Sequence, residues 1–336
     1  VLKELLAKLI QKEDLSETEM VQATQEIMGG EASPAQIGGF LTALRIKGES
    51  VQEIAGAARV MREKALKVNF SAPIVIDTCG TGGDGSHTFN ISTTTAFIVA
   101  ASGIPVAKHG NRAMSSRCGS ADLLEALGIK VDLPPEKVEA CLHQVGIGFM
   151  FAPVFHSAMK NVIGPRRELG FRTIFNLLGP LTNPANANCQ LIGVYQPELT
   201  GVLAEVLQRL GVKRAMVVHG GGGLDELSLE GTNQISFLHD DKIDTMFIKA
   251  EDVGLQAAAN QELKGEDPAE NAKLTARILN GSEDGPRLEV ILLNAAAALM
   301  VANVVPNLKA GVACARKLIT DGSAYQKLHQ LQQAAV

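Results

Sequence analysis

IVIDTCGTGGDGSHTFNISTTTAFIVAA, residues 74–101, sets the architecture of the chain. Ile74, Val75 and Ile76 form a β-branched run that reads as a strand ending in Asp77, Thr78 and Cys79. Gly80, Gly82, Gly83 and Gly85 crowd the turn that follows, and Asn90-Ile91-Ser92-Thr93 opens a helix through Ala101. Glycine permits a tight turn and a close backbone approach to a ligand, and the N–H groups of such a loop and helix start attract negative charge. A strand feeding a glycine turn and then a helix is the unit of a parallel α/β sheet that binds its ligand at the strand ends.

Downstream the alternation continues. Pro105 to Ala107, Ile147 to Phe151, Leu191 to Val194 and Ala215 to Val218 read as further strands, with helical periodicity at Ser120 to Leu127 and Glu136 to Gln144. Gln234 to Leu238 and Ile243 to Ile248 flank His239-Asp240-Asp241-Lys242 as a hairpin, and the alanine-rich tail from Leu288 reads as helix. Upstream, the chain reads as all helix. Leu2, Leu5, Leu6, Leu9 and Ile10 recur at helical spacing. Ser16 with Glu19, and Ser50 with Glu53, form capping boxes, Ser33-Pro34 supplies an N-cap and first-turn proline, and Gly29-Gly30 and Gly48 stop two helices. The expected fold class is α/β: a small all-helical domain over residues 1–70 and a large α/β domain over 71–336 with a central, mostly parallel sheet. Part of 160–185, broken by Gly164-Pro165 and Gly179-Pro180, is expected to return to the helical domain.

The glycine spacing also matches a dinucleotide fingerprint, which wants an acidic residue about 20 positions on to hold ribose hydroxyls. No acidic residue occurs between Gly85 and Ala121, whereas Lys108, Arg112 and Arg117 do, so the stretch suits phosphates instead. Lys108 to Ser116, then Gly119-Ser120, repeats the logic with cations, glycines and hydroxyls before a helix. Ser115, Ser116 and Ser120 fit turn or N-cap duty as well as ligand contact. A third glycine run, Gly220 to Gly223, leads into Asp225-Glu226, adjacent carboxylates of the kind that hold Mg²⁺ against a polyphosphate.

Composition narrows the class. Lys and Arg number 31 against 36 Asp and Glu, a net charge of −5, so nothing draws the chain to nucleic acid or an anionic membrane. Any anion site must be built locally. No apolar run approaches the length of a membrane span. Cys79, Cys118, Cys141, Cys189 and Cys314 are scattered, an odd count without Cys-x-x-Cys spacing, and Val1 to Asp14 lacks a secretory pattern, so a reducing cytoplasm is expected.

GTGGDGSHTFNIST (80–93), KHGNRAMSSRCGSADLLEALG (108–128), GPRRELGFRTIFNLLGPLTNP (164–184) and GLDELS (223–228) together resemble the anthranilate phosphoribosyltransferase family, in the family's order and over the whole chain. The resemblance implies a magnesium-dependent glycosyltransferase that joins phosphoribosyl pyrophosphate to anthranilate in tryptophan biosynthesis, as a cytoplasmic homodimer. It implies that Gly80, Gly82, Gly83, Asp84, Thr88, Asn90, Ile91, Ser92, Thr93 and Lys108 hold phosphoribosyl pyrophosphate, with Ser116 and Ser120 closing the site. Ser92, Asp225 and Glu226 would ligate two magnesium ions, and Gly80, His109, Asn111 and Arg166 would meet anthranilate. Lys108, Asn111 and Arg166 carry the catalytic duties in this reading. Arg166 suits its task because a guanidinium pairs with a carboxylate at two points. The extra glycine at Gly221-Gly222-Gly223 departs from the usual turn and leads to the expectation of a looser metal loop.

His87, His156 and His219 read as packing or loop residues, whereas His109 is expected at the mouth of the site. Cys79 reads as a small buried residue, since the implied reaction needs no covalent intermediate. Two rivals are weaker. A pyrimidine nucleoside phosphorylase would bind inorganic phosphate without magnesium, against Asp225-Glu226 and the Lys108 to Ser116 run. A non-catalytic nucleic-acid-binding relative would show a basic groove and eroded motifs.

Overall fold

The computed structural model describes residues 1–113 and 117–336. Four helices come first: α1 (Leu2–Ile10), α2 (Glu17–Gly29), α3 (Pro34–Lys47) and α4 (Val51–Lys64). Their starts are fixed by reciprocal caps, Ser16 with Glu19, Ser33 with Gln36 and Ser50 with Glu53, which satisfy helix N–H groups that lack a partner within the helix. Gly30 ends α2 in the left-handed conformation at φ 82°. Glu53 also ties the helices together. Fully buried, its carboxylate accepts from Leu15 N at 2.9 Å, Ser50 N at 2.7 Å and Lys47 Nζ at 2.9 Å.

Seven strands follow: β1 (Ile76–Gly80), β2 (Val106–Gly110), β3 (Ile147–Phe151), β4 (Cys189–Gly193), β5 (Arg214–His219), β6 (Asn233–His239) and β7 (Lys242–Ile248). They lie in the order β3-β2-β1-β4-β5-β6-β7; the first five are parallel, and β6 and β7 join as antiparallel neighbours. The fold class expected from the sequence is the one observed. β1 begins at Ile76 rather than Ile74, because the Val75 N–H goes to the Asn188 side chain at 2.9 Å before the ladder starts.

Side chains alternate between two cores, as strand geometry requires. Ile76, Leu191, Met216 and Val218 face a core covered by α5 (Ile91–Ala101) and the C-terminal helices. From Val290 to Leu299 the helix Pro286–Val301 is buried on every side, and Asn294 is its one polar residue there. Cys79, Ile192 and Val217 face the other core, covered by the helix Leu199–Arg209 and continuous with the interior of α1 to α4. The helix Lys160–Leu169 packs on α2 and α3, and Val162, Ile174, Phe175, Leu177 and Leu181 share that second core. Among the described residues, no helix is long and apolar enough to cross a membrane.

Candidate functional site

From β1 the chain winds outward through β2 and β3 and then crosses to β4 on the other side of β1, so a crevice opens at the carboxyl ends of β1 and β4, where open α/β sheets take ligands. Gly80 and Gly193 pair there in register. The turn after β5 lies across them: a Cβ on Gly193 would sit 1.6 Å from the Asp225 carbonyl oxygen, and one on Gly80 would sit 2.8 Å from the Asp225 carboxylate. Two bare strand ends thus admit the Asp225-Glu226 turn.

The glycines before that turn do not loosen it, contrary to expectation. A Cβ on Gly221 would sit 1.7 Å from the Glu230 carbonyl, Gly222 and Gly223 take φ of 73° and 90°, and the Asn260 side chain donates to the Gly221 carbonyl at 2.8 Å. They are used for close approach and reversed backbone, and the result is a kinked, tightly packed turn.

A cavity of about 330 Å³ stands over the crevice, lined by the first glycine loop, the start of α5, β2 from Lys108 to Gly110, the second loop, Asn176, and Asp225 with Glu226. Gly80, Gly82, Gly83, Asp84, Thr88, Asn90, Ile91, Ser92, Lys108, His109, Asn111, Ser120, Asp225 and Glu226 are all brought to it. Thr93 stands one layer behind, its hydroxyl donating to Ser120 Oγ at 3.0 Å. Ser116 lies outside the described residues. Gly82 N donates to Asp225 Oδ2 at 2.7 Å, and Asn90 braces the site by donating to the Cys118 carbonyl at 2.9 Å.

Lys108 is not in the glycine loop where the sequence reading set it. It lies within β2, 2% exposed, with its ammonium donating to the Thr78 carbonyl and standing 3.4 Å from Ser92 Oγ. Its charge is therefore fixed beneath the floor of the cavity. Cys79 stays a protonated thiol, pushed well above its usual range by burial and then by Asp77.

Three carboxylates, Asp84, Asp225 and Glu226, line the cavity. Burial works against ionised Asp84, but the Ser86 hydroxyl and N–H, with Asp225 N at 3.2 Å, hold it below its usual value. Burial and then Asp84 push Asp225 up to about 7, and burial and then Asp225 push Glu226 well above the carboxylate range. Carboxylates held this way call for a cation. The donor set around them, carboxylate oxygens and the Ser92 hydroxyl, is hard and suits Mg²⁺, which commonly takes only one or two protein carboxylates and completes its shell from phosphates and water. Among the described residues no three His, Cys, Asp or Glu side chains form a metal cage by themselves, so these residues fit magnesium as one side of a shell that phosphate oxygens and water complete.

The second loop is organised by Asp122, whose Oδ2 accepts from Ala113 N and Gly119 N, both at 2.9 Å. Arg112, read as a phosphate cation, is instead paired with Asp122 at 3.0 Å and Glu125 at 2.6 Å. Its charge is taken by the helix that follows. Nor is His109 at the mouth. It is 6% exposed, with Nδ1 3.2 Å from the Gly179 carbonyl and its ring 5.0 Å from that of His156. Burial lowers its imidazole to about 3 and that of His156 to about 4, so both rings are neutral, and Nδ1–H of His109 donates to Gly179.

Arg166 does not line the cavity. It stands on the helix Lys160–Leu169, half-buried, with its guanidinium 5.5 Å from the Phe175 ring centre. Burial lowers its pKa, and no carboxylate among the described residues pairs with it. A desolvated guanidinium without an acid is a place for a substrate anion.

Several residues at the site escaped the sequence reading. Buried Asp77 accepts from His109 N at 3.2 Å and from Asn183 Nδ2 at 2.8 Å, and Asn183 also donates to the Ala107 carbonyl at 2.8 Å. This clamp holds the backbone on either side of Lys108. The sole hint was a carboxylate inside an apolar strand. Arg172, which donates to the Gly83 carbonyl, and Asn176 both lay within a quoted motif but carried no local signal of their own.

The family described as "Glycosyl transferase family, a/b domain" matches residues 72–325, and its helical bundle domain matches residues 3–65. The anthranilate phosphoribosyltransferase of Desulfosudis oleivorans is 53% identical over 97% of this chain and 96% of its own length. The crystal structure of the Thermus thermophilus anthranilate phosphoribosyltransferase is 46% identical, covers 98% of each chain and superposes with a TM-score of 0.94. That of Saccharomyces cerevisiae, solved in complex with phosphoribosyl pyrophosphate and Mg, is 28% identical over 99% of this chain and 97% of its own, with a TM-score of 0.91.

Proposed function

The chain belongs to the anthranilate phosphoribosyltransferase family, and from that membership we propose how its residues divide the reaction. The enzyme transfers the phosphoribosyl group of phosphoribosyl pyrophosphate to the anthranilate amine, releasing pyrophosphate, in tryptophan biosynthesis, and it uses Mg²⁺. One observation carries the division: Asp84 of the glycine loop shares one cavity at the switch point with Asp225, Glu226 and the hydroxyl-bearing start of α5.

The N–H groups of Gly83 to Gly85 and the first turn of α5 take the phosphates, with Thr88, Asn90 and Ser120 as side-chain partners. Ser92, Asp225 and Glu226 would hold magnesium, two ions in this reading, whose charge offsets that of the diphosphate. Lys108 adds a fixed positive charge below the leaving group. Because it is already aimed and desolvated, it needs no reorganisation as charge develops on the departing oxygen. Asn111 and Arg166 orient anthranilate, so that the amine faces the anomeric carbon as the bond to pyrophosphate loosens. Arg166 stands outside the cavity wall, so this reading includes closure of the helical side onto the sheet. The proton of the product ammonium leaves to solvent or pyrophosphate, without a dedicated base.

Assembly as a homodimer through the helical region is supported by Ile10 of α1 and Ile46 of α3, which are 65% and 72% exposed. A cytoplasmic location is supported by five free cysteines. Lys108→Ala tests the catalytic assignment: kcat should fall by roughly 100- to 1,000-fold, the usual worth of one oriented charge-stabilising donor. Turnover within threefold of wild type would remove Lys108 from the mechanism.

A further inference from the structure

The first glycine loop is anchored at both ends. Thr81 N donates to the Gly193 carbonyl at 2.9 Å; at the far end Phe89 N donates to the Leu263 carbonyl at 3.0 Å and Gly265 N to the His87 carbonyl at 2.8 Å. Between these anchors Gly82, Gly83 and Gly85 all have positive φ, a stretch that is costly to order because glycine has the most conformational freedom to lose. Among the described residues, this stretch is held on the sheet side by the Asp225 turn, which bonds Gly82 N and the Asp84 carboxylate, and on the helical side by the Arg172 side chain.

Arg172 reaches the Gly83 carbonyl with Nη2, and its guanidinium lies 3.9 Å from the centre of the Tyr195 ring. A Cβ on Gly83 would meet that guanidinium at 2.9 Å, so the glycine is what admits the arginine. Tyr195 follows β4 by two residues and is therefore fixed to the strand beside β1. Among the described residues its hydroxyl makes no hydrogen bond and no carboxylate pairs with Arg172, so the ring face and one carbonyl are what hold this cation. On its other side, Arg172 is followed by buried Ile174 and Phe175 in the core shared with α1 to α4.

We infer that Arg172, stacked on Tyr195, is a positioning residue that latches the glycine loop from the helical side and so sets the affinity for phosphoribosyl pyrophosphate. It acts through the Gly83 carbonyl: with the latch in place, the loop N–H groups are ordered before the substrate arrives, and less ordering cost falls on binding. The inference rests on the reading that this loop takes phosphoribosyl pyrophosphate.

The test is steady-state kinetics of the full chain at saturating Mg²⁺, with each substrate varied in turn. Arg172→Met should raise the KM for phosphoribosyl pyrophosphate by roughly tenfold, the worth of one modest charge-assisted hydrogen bond. The anthranilate KM and kcat should stay within about twofold, since the chemistry is untouched and uniform binding is what is lost. Tyr195→Leu should move the same KM in the same direction, Tyr195→Phe should leave it unchanged, and Arg172→Lys should recover part of the loss. An unchanged KM for phosphoribosyl pyrophosphate in Arg172→Met, or an equal rise in both Michaelis constants, overturns the latch. Ser92→Ala, inside the binding region, separates the two ideas. If it raises this KM while Arg172→Met does not, only the latch falls; if neither does, the assignment of the loop falls as well.

Discussion

Gly193→Ala adds one methyl group where the structure has no room for it. The new Cβ would stand 1.6 Å from the Asp225 carbonyl oxygen and 2.5 Å from its carbon. Restoring ordinary contact requires the two to separate by about 2 Å. β4 cannot yield, because it is bonded to β1 on one side and β5 on the other. The turn must move, which carries the Asp225 carboxylate off the Gly82 N–H, now at 2.7 Å, and away from Asp84. Overpacking of this kind costs about 1–3 kcal/mol of stability, whereas displacing catalytic groups by even about 1 Å costs roughly 100-fold in rate. The variant should thus be folded, with kcat/KM for phosphoribosyl pyrophosphate at least about 100-fold lower and a raised Mg²⁺ requirement. Anthranilate fluorescence across a Mg²⁺ titration, with a melting curve beside it, reads both quantities. Gly201→Ala is the control: it lies in the helix Leu199–Arg209 with nothing within 4 Å of its added Cβ, and should gain up to about 1 kcal/mol without loss of rate. Wild-type rate and Mg²⁺ dependence in Gly193→Ala would refute the claim that Asp225 and Glu226 must lie over these strand ends.

Arg166→Ala should raise the anthranilate KM by roughly 10- to 100-fold and leave that for phosphoribosyl pyrophosphate nearly unchanged; a normal anthranilate KM would sink its assignment. His109 and His156 titrate near 3 and 4 when folded, below the ordinary value near 6.5. The unfolded chain therefore binds protons that the native chain refuses, so stability is unaffected by these rings above about pH 6.5 and falls as pH drops below it. The loss is about 2 kcal/mol per histidine at pH 5. Urea unfolding at pH 7.5 and pH 5 checks this, with a shallower slope expected for His156→Asn; identical slopes would contradict it. Lys47→Met removes one partner of a buried pair whose side chains are 4% and 0% exposed, and should cost about 3–5 kcal/mol in the same assay. A loss below about 1 kcal/mol would show that Glu53 is satisfied without it.

What was legible in the sequence is what is local. The caps at Ser16 and Ser50 and the β3 span at Ile147–Phe151 depend on residues within a few positions of one another, and they occur as read. The nature of the site was also legible, because glycine, hydroxyl and carboxylate runs keep their chemistry wherever they fold. Placement was not. Lys108 falls within a strand and under the floor because β2 extends to Gly110. Arg112 looked available until the helix after it supplied Asp122 and Glu125 as partners. The Asp77–Asn183 clamp spans 106 residues and the Arg172–Gly83 contact 89, distances over which periodicity carries no information. The glycines at 221 to 223 were misjudged for the same reason. Taken alone they read as slack, but the chain that crosses them, at Glu230 and Asn260, leaves them none.

In the proposed reaction a carboxylate-lined glycine site, completed by magnesium, transfers phosphoribosyl to anthranilate. Following anthranilate fluorescence after mixing the protein with phosphoribosyl pyrophosphate, with and without Mg²⁺, tests it most directly. The signal should decay only when protein, both substrates and Mg²⁺ are all present, and should stop when EDTA is added. A steady signal from folded protein in the complete mixture, or decay at the same rate without the metal, would contradict it.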